Sequence, residues 1–135
     1  MASPDLELQG AIVGRLRSYP PLTAIVGQKI YDRVPAATTE PYVDMGEAHV
    51  LRRDATCVDA QEIYLTLHAW SVYGGGFKEA KQIAEAVVAA LHGHPMTLQT
   101  NRLISISHRQ TRTFRDADGV TSHAVIEFVA YTERL

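Results

Sequence analysis

Residues 63–93 read IYLTLHAW, SVYGGG and FKEAKQIAEAVVAALHG, and this stretch decides the fold. From Ile63 to Trp70 the side chains alternate between two sides, which predicts a β-strand. Both sides carry substantial apolar surface, so we expect a central strand that is covered at least partly on both faces. The glycines at 74–76 end the strand, and from residue 77 onward the apolar positions follow the spacing of a helix.

The predicted helix has one apolar stripe, with polar residues between its members. The stripe consists of Ala80, Ile83, Ala84, Val87, Val88 and Leu91. Gly93 and Pro95 follow in the order that is expected at a helix end. Burying such branched side chains contributes roughly 1.5–3 kcal/mol each, so this helix should be a principal anchor of the core.

The flanking segments predict a second helix and four further strands. Ser3 and Pro4 suit the cap and the first position of a helix that ends near Ser18. A short apolar turn at 22–26 leads to predicted strands at 29–34 and 42–51, where Gly46 weakens the second strand or marks a bulge. Residues 102–112 and 121–133 predict a C-terminal hairpin.

These elements predict a single domain over residues 1–135. Strands and helices do not alternate as in a parallel sheet, so the fold class is α+β, a mainly antiparallel sheet packed by two α-helices. Residues 52–60 and 111–120 are polar, carry both charge signs and lack periodicity. We therefore expect two long mobile loops, and loops of this kind often carry function.

Composition excludes several classes of protein. With 46% apolar and 21% charged residues, the 135-residue chain is globular, and a net charge of −2 gives no reason to expect tight nucleic-acid binding. Cys57 is the only cysteine, so an intrachain disulfide is impossible. The first ten residues do not resemble a signal peptide, and no apolar run approaches the ~20 residues that span a bilayer. We expect synthesis in the bacterial cytoplasm and no membrane partner.

The sequence contains no convincing catalytic or cofactor-binding motif. Residues 74–78 read GGGFK, but a P-loop requires glycine, four residues, and then Gly-Lys-Ser/Thr. A nucleophile elbow and a His-Glu-x-x-His motif are both absent. We expect no enzyme activity and no cofactor, and interpret the glycines as a hinge between strand and helix.

Six histidines raise the question of a metal site. His92 and His94 flank one glycine and are too close together for a defined zinc site. Strand pairing brings two others together at most, His108 and His123 being one possible pair, and the spacing supplies no third ligand. The sequence therefore predicts no native metal site.

Charged residues concentrate in the two predicted loops, where they form a candidate interface with other subunits or partners. The candidates are Arg52, Arg53, Asp54, Arg112, Arg115, Asp116 and Asp118. One interpretation is a solvated edge that discourages aggregation between strands. The other is a protein interface or a lumen through which DNA passes, and composition does not decide between them.

Several segments in order carry a family resemblance. The chain has GQKIYDRVP at 27–35, PYVDMG at 41–46 and LHAWS at 67–71. These are followed by EAKQIAEAVVAAL at 79–91 and by a hairpin that ends IEFVAY at 126–131. This ordered set resembles the tail-terminator, or tail-completion, proteins of long-tailed bacteriophages and gene transfer agents. Each piece is weak alone, and the match spans nearly the whole chain.

The resemblance implies a structural virion protein that forms a homohexameric ring at the tail–head junction. Its implied partners are further copies of itself, the tail tube protein and a head-side stopper or connector protein. Double-stranded DNA would pass through the lumen without sequence-specific binding, and no cofactor is implied. Closed rotational symmetry requires that one surface of a subunit meet a different surface of its neighbour.

Three other functions stay open at this point. The chain suits a head-side adaptor or stopper ring of the same particle equally well. A small-molecule-binding or enzymatic α+β domain is a second alternative, and an unrelated cytoplasmic oligomer is a third.

Overall fold

The computed structural model describes residues 3–135, which form a five-stranded sheet with helices on one face. The elements are α1 (Pro4–Arg17), α2 (Pro20–Val26), β1 (Ile30–Tyr31), β2 (Tyr42–Arg52), β3 (Ala60–Ser71), α3 (Lys78–Leu91), β4 (Asn101–Arg115) and β5 (Ser122–Arg134). The strands lie in the sheet in the order β1-β2-β3-β5-β4. Only the β1–β2 pair is parallel within this described part. The predicted α+β class with a mainly antiparallel sheet is confirmed.

The core lies between the helices and one face of the sheet. Leu8, Ile12 and Leu16 of α1 are buried at a spacing of four, as the helical pattern predicts. Ser3 caps this helix, since its Oγ accepts from the Leu6 amide at 3.4 Å. The residues of the α3 stripe are also buried, apart from the half-buried Val88. Together they cover the inward side chains of the sheet.

The register of β3 against β5 fixes which side chains face the helices. Ile63 lies opposite Ala130, and Leu67 lies opposite Ile126. The buried residues of the two strands therefore form one continuous apolar face: Ile63, Leu65, Leu67, Ala69, Ala124, Ile126, Phe128 and Ala130. The intervening residues point to the opposite side, which we call the open face because no helix of residues 3–135 covers it. β3 is central in the sheet, as predicted.

Several predicted boundaries are wrong, and the reason is local pairing. β2 continues to Arg52 and β3 begins at Ala60, so the predicted loop at 52–60 is a shorter hairpin turn. Likewise residues 111–115 belong to β4 and pair with β5, which leaves a turn at 116–121 in place of the loop predicted at 111–120. The ends of both hairpins could not be predicted from apolar alternation, because strand residues that are exposed there can be polar or charged.

Two smaller differences concern the first third of the chain. The apolar turn at 22–26 is part of a helix, α2, which begins with two prolines and is capped by Gly27. β1 is only two residues long, shorter than the predicted strand at 29–34. The bulge expected at Gly46 is present, since the β2–β3 register shifts between Met45 and Ala48. None of the described helices is long and apolar enough to cross a bilayer.

Candidate assembly surfaces

The β2–β3 turn holds Arg52, Arg53 and Asp54 in a small network of ion pairs. Arg52 Nη1 lies 3.1 Å from Asp54 Oδ2 and 3.3 Å from Asp59 Oδ1. The Arg52 hydrogen bond, helped by the Ala60 amide, holds the pKa of the Asp54 carboxyl below its usual range. Arg53 Nε lies 3.4 Å from Glu62 on the open face. These charges are therefore partly satisfied within the subunit, at the end of the β2–β3 hairpin.

The β4–β5 turn is built around Asp118. Its Oδ1 accepts from the amides of Val120 and Thr121 at 2.9 and 2.8 Å, and the Thr121 hydroxyl donates to Oδ2 at 2.6 Å. The hydrogen bond from the Thr121 hydroxyl, and after it the bond from the Thr121 amide, lower the pKa of the Asp118 carboxyl. Asp116 donates its amide to the Thr121 carbonyl across the same turn. Asp118 thus has a structural role as the cap of the turn.

Arg115 fastens this turn to the glycine segment between β3 and α3. Its Nε donates to the Gly75 carbonyl at 2.6 Å, and its guanidinium lies 4.4 Å from the centre of the Phe77 ring. Gly75 is buried at φ +76°, and a Cβ there would lie 3.1 Å from the Gly119 carbonyl. The predicted hinge is therefore also a packing site for the turn, so the turn does not project freely from the body.

The candidate interface residues divide between two opposite ends of the sheet. Ala60, at the β2–β3 turn, lies opposite Glu133, whereas Ser71 lies opposite Ser122, beside the β4–β5 turn. The two turns are separated by the length of β3, roughly 40 Å at the usual rise per residue of a strand. Arg112 lies on the open face near the second turn, with its Nε 3.8 Å from Glu127. The predicted residues therefore form two separate groups.

The open face also carries an aromatic and imidazole cluster that the sequence did not indicate. His123 stacks on Trp70 with ring centres 3.7 Å apart, and Phe114 meets the same imidazole edge-on at 4.9 Å. His68 Nδ1 lies 2.6 Å from His123 Nε2. Trp70 Nε1 donates to Asp44 at 2.8 Å. Burial, followed by the neighbouring His68, lowers the pKa of His123 to about 4.

The alternation of β3 already placed His68 and Trp70 on one face, but their partner could not be predicted. His123 meets Trp70 only in the β3–β5 register that the structure shows. The suggested pairing of His108 with His123 is wrong, because His108 lies opposite Phe128 and His123 lies opposite Phe114. Across residues 3–135 no three His, Cys, Asp or Glu side chains are grouped to hold a metal.

Comparison with known proteins identifies the family. The family model described as tail completion protein gp17 matches residues 10–133, nearly the whole chain. The chain belongs to this family. Membership makes it a tail completion protein, a structural component of a phage or gene-transfer-agent virion, as the sequence resemblance predicted.

Individual relatives of this tail completion protein support the same family assignment. The tail completion protein gp17 of Bacillus phage SPP1 is 28% identical over 120 residues, which is 89% of this chain and 87% of the relative. The solved structure of that SPP1 protein matches with a TM-score of 0.61 at 25% identity, covering 93% of this chain and 88% of the other. A chain in the virion of a native gene transfer agent particle matches at a TM-score of 0.91 and 25% identity, covering 98% and 99% of the two chains.

Proposed function

We propose that the protein forms a homohexameric ring that terminates the tail tube and joins the tail to the head connector. The observation that supports this most is the TM-score of 0.91 with a gene-transfer-agent virion chain, with 98% of this chain and 99% of the other covered. The likeness extends over nearly all of both chains and is not confined to one part of the fold. The proposed mechanism is binding alone: the ring occupies the terminal face of the tube and presents a new face to the head.

The positions of the two turns suit a ring with two different axial contacts. One group of charged side chains lies at the β2–β3 turn and the other lies at the β4–β5 turn, at opposite ends of β3. If the strands run broadly along the ring axis, each turn reaches one axial face. One face then contacts the tail tube protein and the other contacts the head-side stopper or connector protein. A heterologous subunit interface leaves both axial faces free for such contacts.

The open face suits the wall of a lumen that DNA passes. Three of its carboxylates are accompanied by arginines: Glu62 by Arg53, Glu127 by Arg112 at 3.8 Å and Glu133 by Arg102 at 2.8 Å. Pairing removes most of the net field that a phosphate backbone would meet. In this arrangement the helices form the outside of the ring, and DNA passes without sequence-specific binding or strong attraction.

A charge reversal tests whether the β4–β5 end is a binding surface. Replacing Arg112 and Arg115 by Glu should leave a folded subunit, because both residues are exposed and the reversal removes only local contacts, such as those of Arg115 with Gly75 and Phe77. Particles produced with this variant should show detached heads or tails of uncontrolled length. The matched control reverses Arg33 and Lys78, which are equally exposed but lie outside both turns. Normal particles from the double reversal at 112 and 115 would contradict a role for this end of the sheet.

Partner binding separates this function from that of a head-side adaptor or stopper ring. Purified subunit should bind assembled tail tube protein, and the Arg112→Glu/Arg115→Glu variant or a variant of the β2–β3 turn should lose this binding. Binding to portal-side protein alone, with no affinity for the tube, would instead assign the chain to the head-side ring.

A further inference from the structure

The outer edge of β4 is covered along one half only. The Gly93 amide donates to the Ile106 carbonyl at 2.8 Å, and the His108 amide donates to His92 Nδ1 at 3.0 Å. Thr97 forms a bridge with Arg102 on the same edge. From residue 109 to residue 115, no strand of the described chain pairs with this edge. β4 therefore leaves a seven-residue segment whose outward backbone groups have no partner strand among the described residues.

The opposite edge of the sheet is free over a similar length. β1 covers β2 only at Val43 and Asp44. Beyond them, residues 45–52 have no outer partner strand within residues 3–135, and those from 47 onward are all exposed. Val50 is 39% exposed and Leu51 is 37% exposed, so this edge presents apolar side chains as well as backbone groups. One chain thus supplies two free edges.

The outward backbone groups of both edges belong to residues that face the helices. The backbone N–H and C=O groups of Ile106 and His108 point away from β5. Outward and inward residues alternate along a strand, and the bulge before Gln110 adds one residue, so the next outward residues are Thr111 and Thr113. On β2 the Arg53 amide points inward to Ala60, so alternation places the groups of Val50 and Ala48 outward. These four residues lie opposite Ile126, Ala124, Ile63 and Leu65, which face the helices.

An apolar groove lies beside the free half of β4. Its lining residues are Lys81, Ala84, Glu85, Val88 and Ala89 of α3 together with Thr111 and Thr113, and the surface that they expose in the groove is mostly apolar. A strand added to β4 in the plane of the sheet would place every second side chain in this groove. The helix-facing side chains of the free β2 edge are Ala48 and Val50, which are small and apolar enough to fill it.

We propose that residues 45–52 of one subunit pair antiparallel with residues 109–115 of a second copy of this chain, with Ala48 opposite Thr113 and Val50 opposite Thr111. The proposal rests on the proposed ring. The occupant is a second copy of this chain because its two free edges are similar in length. On both edges, the outward backbone groups also belong to residues whose side chains face the helices. In addition, β2 and β4 run in opposite directions, so identically oriented neighbours pair antiparallel.

The register has the offset that a closed sheet needs. Within one subunit Ala48 aligns through Leu65 and Phe128 with His108. The proposed partner Thr113 lies four ladder positions further along β4, not counting the bulged Arg109. Four residues of ~3.3 Å over four strands spaced ~4.8 Å apart give a strand tilt of about 35°. Barrels have tilts of about 35–45°, so repetition of this step closes a ring without free edges.

Cysteine cross-linking in assembled particles tests this register. Ala48→Cys and Thr113→Cys are combined in a Cys57→Ser background, and purified particles are mildly oxidised. Non-reducing electrophoresis should show a ladder of multimers up to a hexamer, which reductant abolishes. Directly opposite strand residues have a Cα separation of ~5.5 Å, within the range of disulfides. The control pairs Ala48→Cys with Ser105→Cys on the covered half of β4, and should stay monomeric.

The outcomes separate this inference from the proposed function. Subunits that occupy the tail–head junction normally but show no cross-link from the 48–113 pair would overturn the edge pairing and leave the ring intact. Absence of the chain from that junction would overturn both. Should the first pair fail to assemble, Leu51→Cys with Gln110→Cys samples the same register on the open face, where both residues are exposed, and its cross-linking decides whether this register forms.

Discussion

His68 and His123 share one short contact on the open face of the sheet, with His68 Nδ1 2.6 Å from His123 Nε2. In this contact one of the two ring nitrogens donates a hydrogen bond and the other accepts it. The contact is lost if both of these nitrogens carry a proton. Burial, and next the nearby His68, lower the pKa of His123 to about 4, although Asp116 opposes the shift. His123 therefore makes folding dependent on pH.

Stability should fall as the pH is lowered from 6.5 towards 4. The unfolded chain takes up a proton on His123 near pH 6.5, whereas the folded chain resists it until about pH 4. The stabilisation is complete above pH 6.5, and each pKa unit corresponds to about 1.4 kcal/mol, which gives up to roughly 3 kcal/mol. Urea unfolding at pH 7 and pH 4.5 measures this. His123→Gln should flatten the dependence relative to the control His94→Gln, and an unchanged slope would contradict the assignment.

Gly46 should not tolerate a side chain. A Cβ at this position would lie 2.7 Å from His68 Cδ2 and 3.1 Å from the Thr66 carbonyl. We expect Gly46→Ala to cost about 1–3 kcal/mol of unfolding free energy, because His68 is held in place by His123. Gly14→Ala is the control, since nothing lies within 4 Å of a Cβ there and helix propensity favours alanine by roughly 0.5–1 kcal/mol. Equal melting temperatures for the two variants would refute the steric argument.

The α3 stripe should be indispensable for folding. Val87 and Leu91 are fully buried, so Val87→Asp or Leu91→Asp places an unpaired carboxylate in the core. The cost is several kcal/mol against a total stability of ~5–15 kcal/mol, which should abolish folding. Gln82→Asp changes an exposed residue of the same helix and should be nearly silent. Circular dichroism distinguishes the two cases, and a cooperative unfolding transition for Leu91→Asp would show that the helix is packed differently.

Arg115 should control the mobility of the glycine segment. Arg115→Ala removes the contacts with Gly75 and Phe77 and leaves the Ser122 hydroxyl bond to the Gly76 carbonyl, so it loosens the segment at residues 72–77. Amide hydrogen exchange in this segment should accelerate about tenfold, with little change in global stability. Arg109→Ala, which removes an arginine from the Tyr64 ring instead, should not have this effect. Unaltered exchange at 72–77 would mean that the glycines hold the turn without Arg115.

The sequence predicted the parts of the fold that depend on local periodicity. The strand at 63–70 and the helix at 79–91 form as expected, because their apolar spacing matches the buried faces. Sequence reasoning missed what depends on long-range register. The contact of His123 with Trp70 requires the β3–β5 pairing, and the bonds of Glu7 with Thr100 and Asn101 join residues over 90 positions apart. The candidate charges were found, but not their division between two ends of the sheet.

The most direct test of the central claim is the position and number of this chain in whole particles, measured by electron cryomicroscopy of the tail–head junction. We expect one ring of six subunits between the last ring of the tail tube and the head connector, with the two hairpin turns on opposite axial faces. A junction without this chain, or with one or three copies, would contradict it.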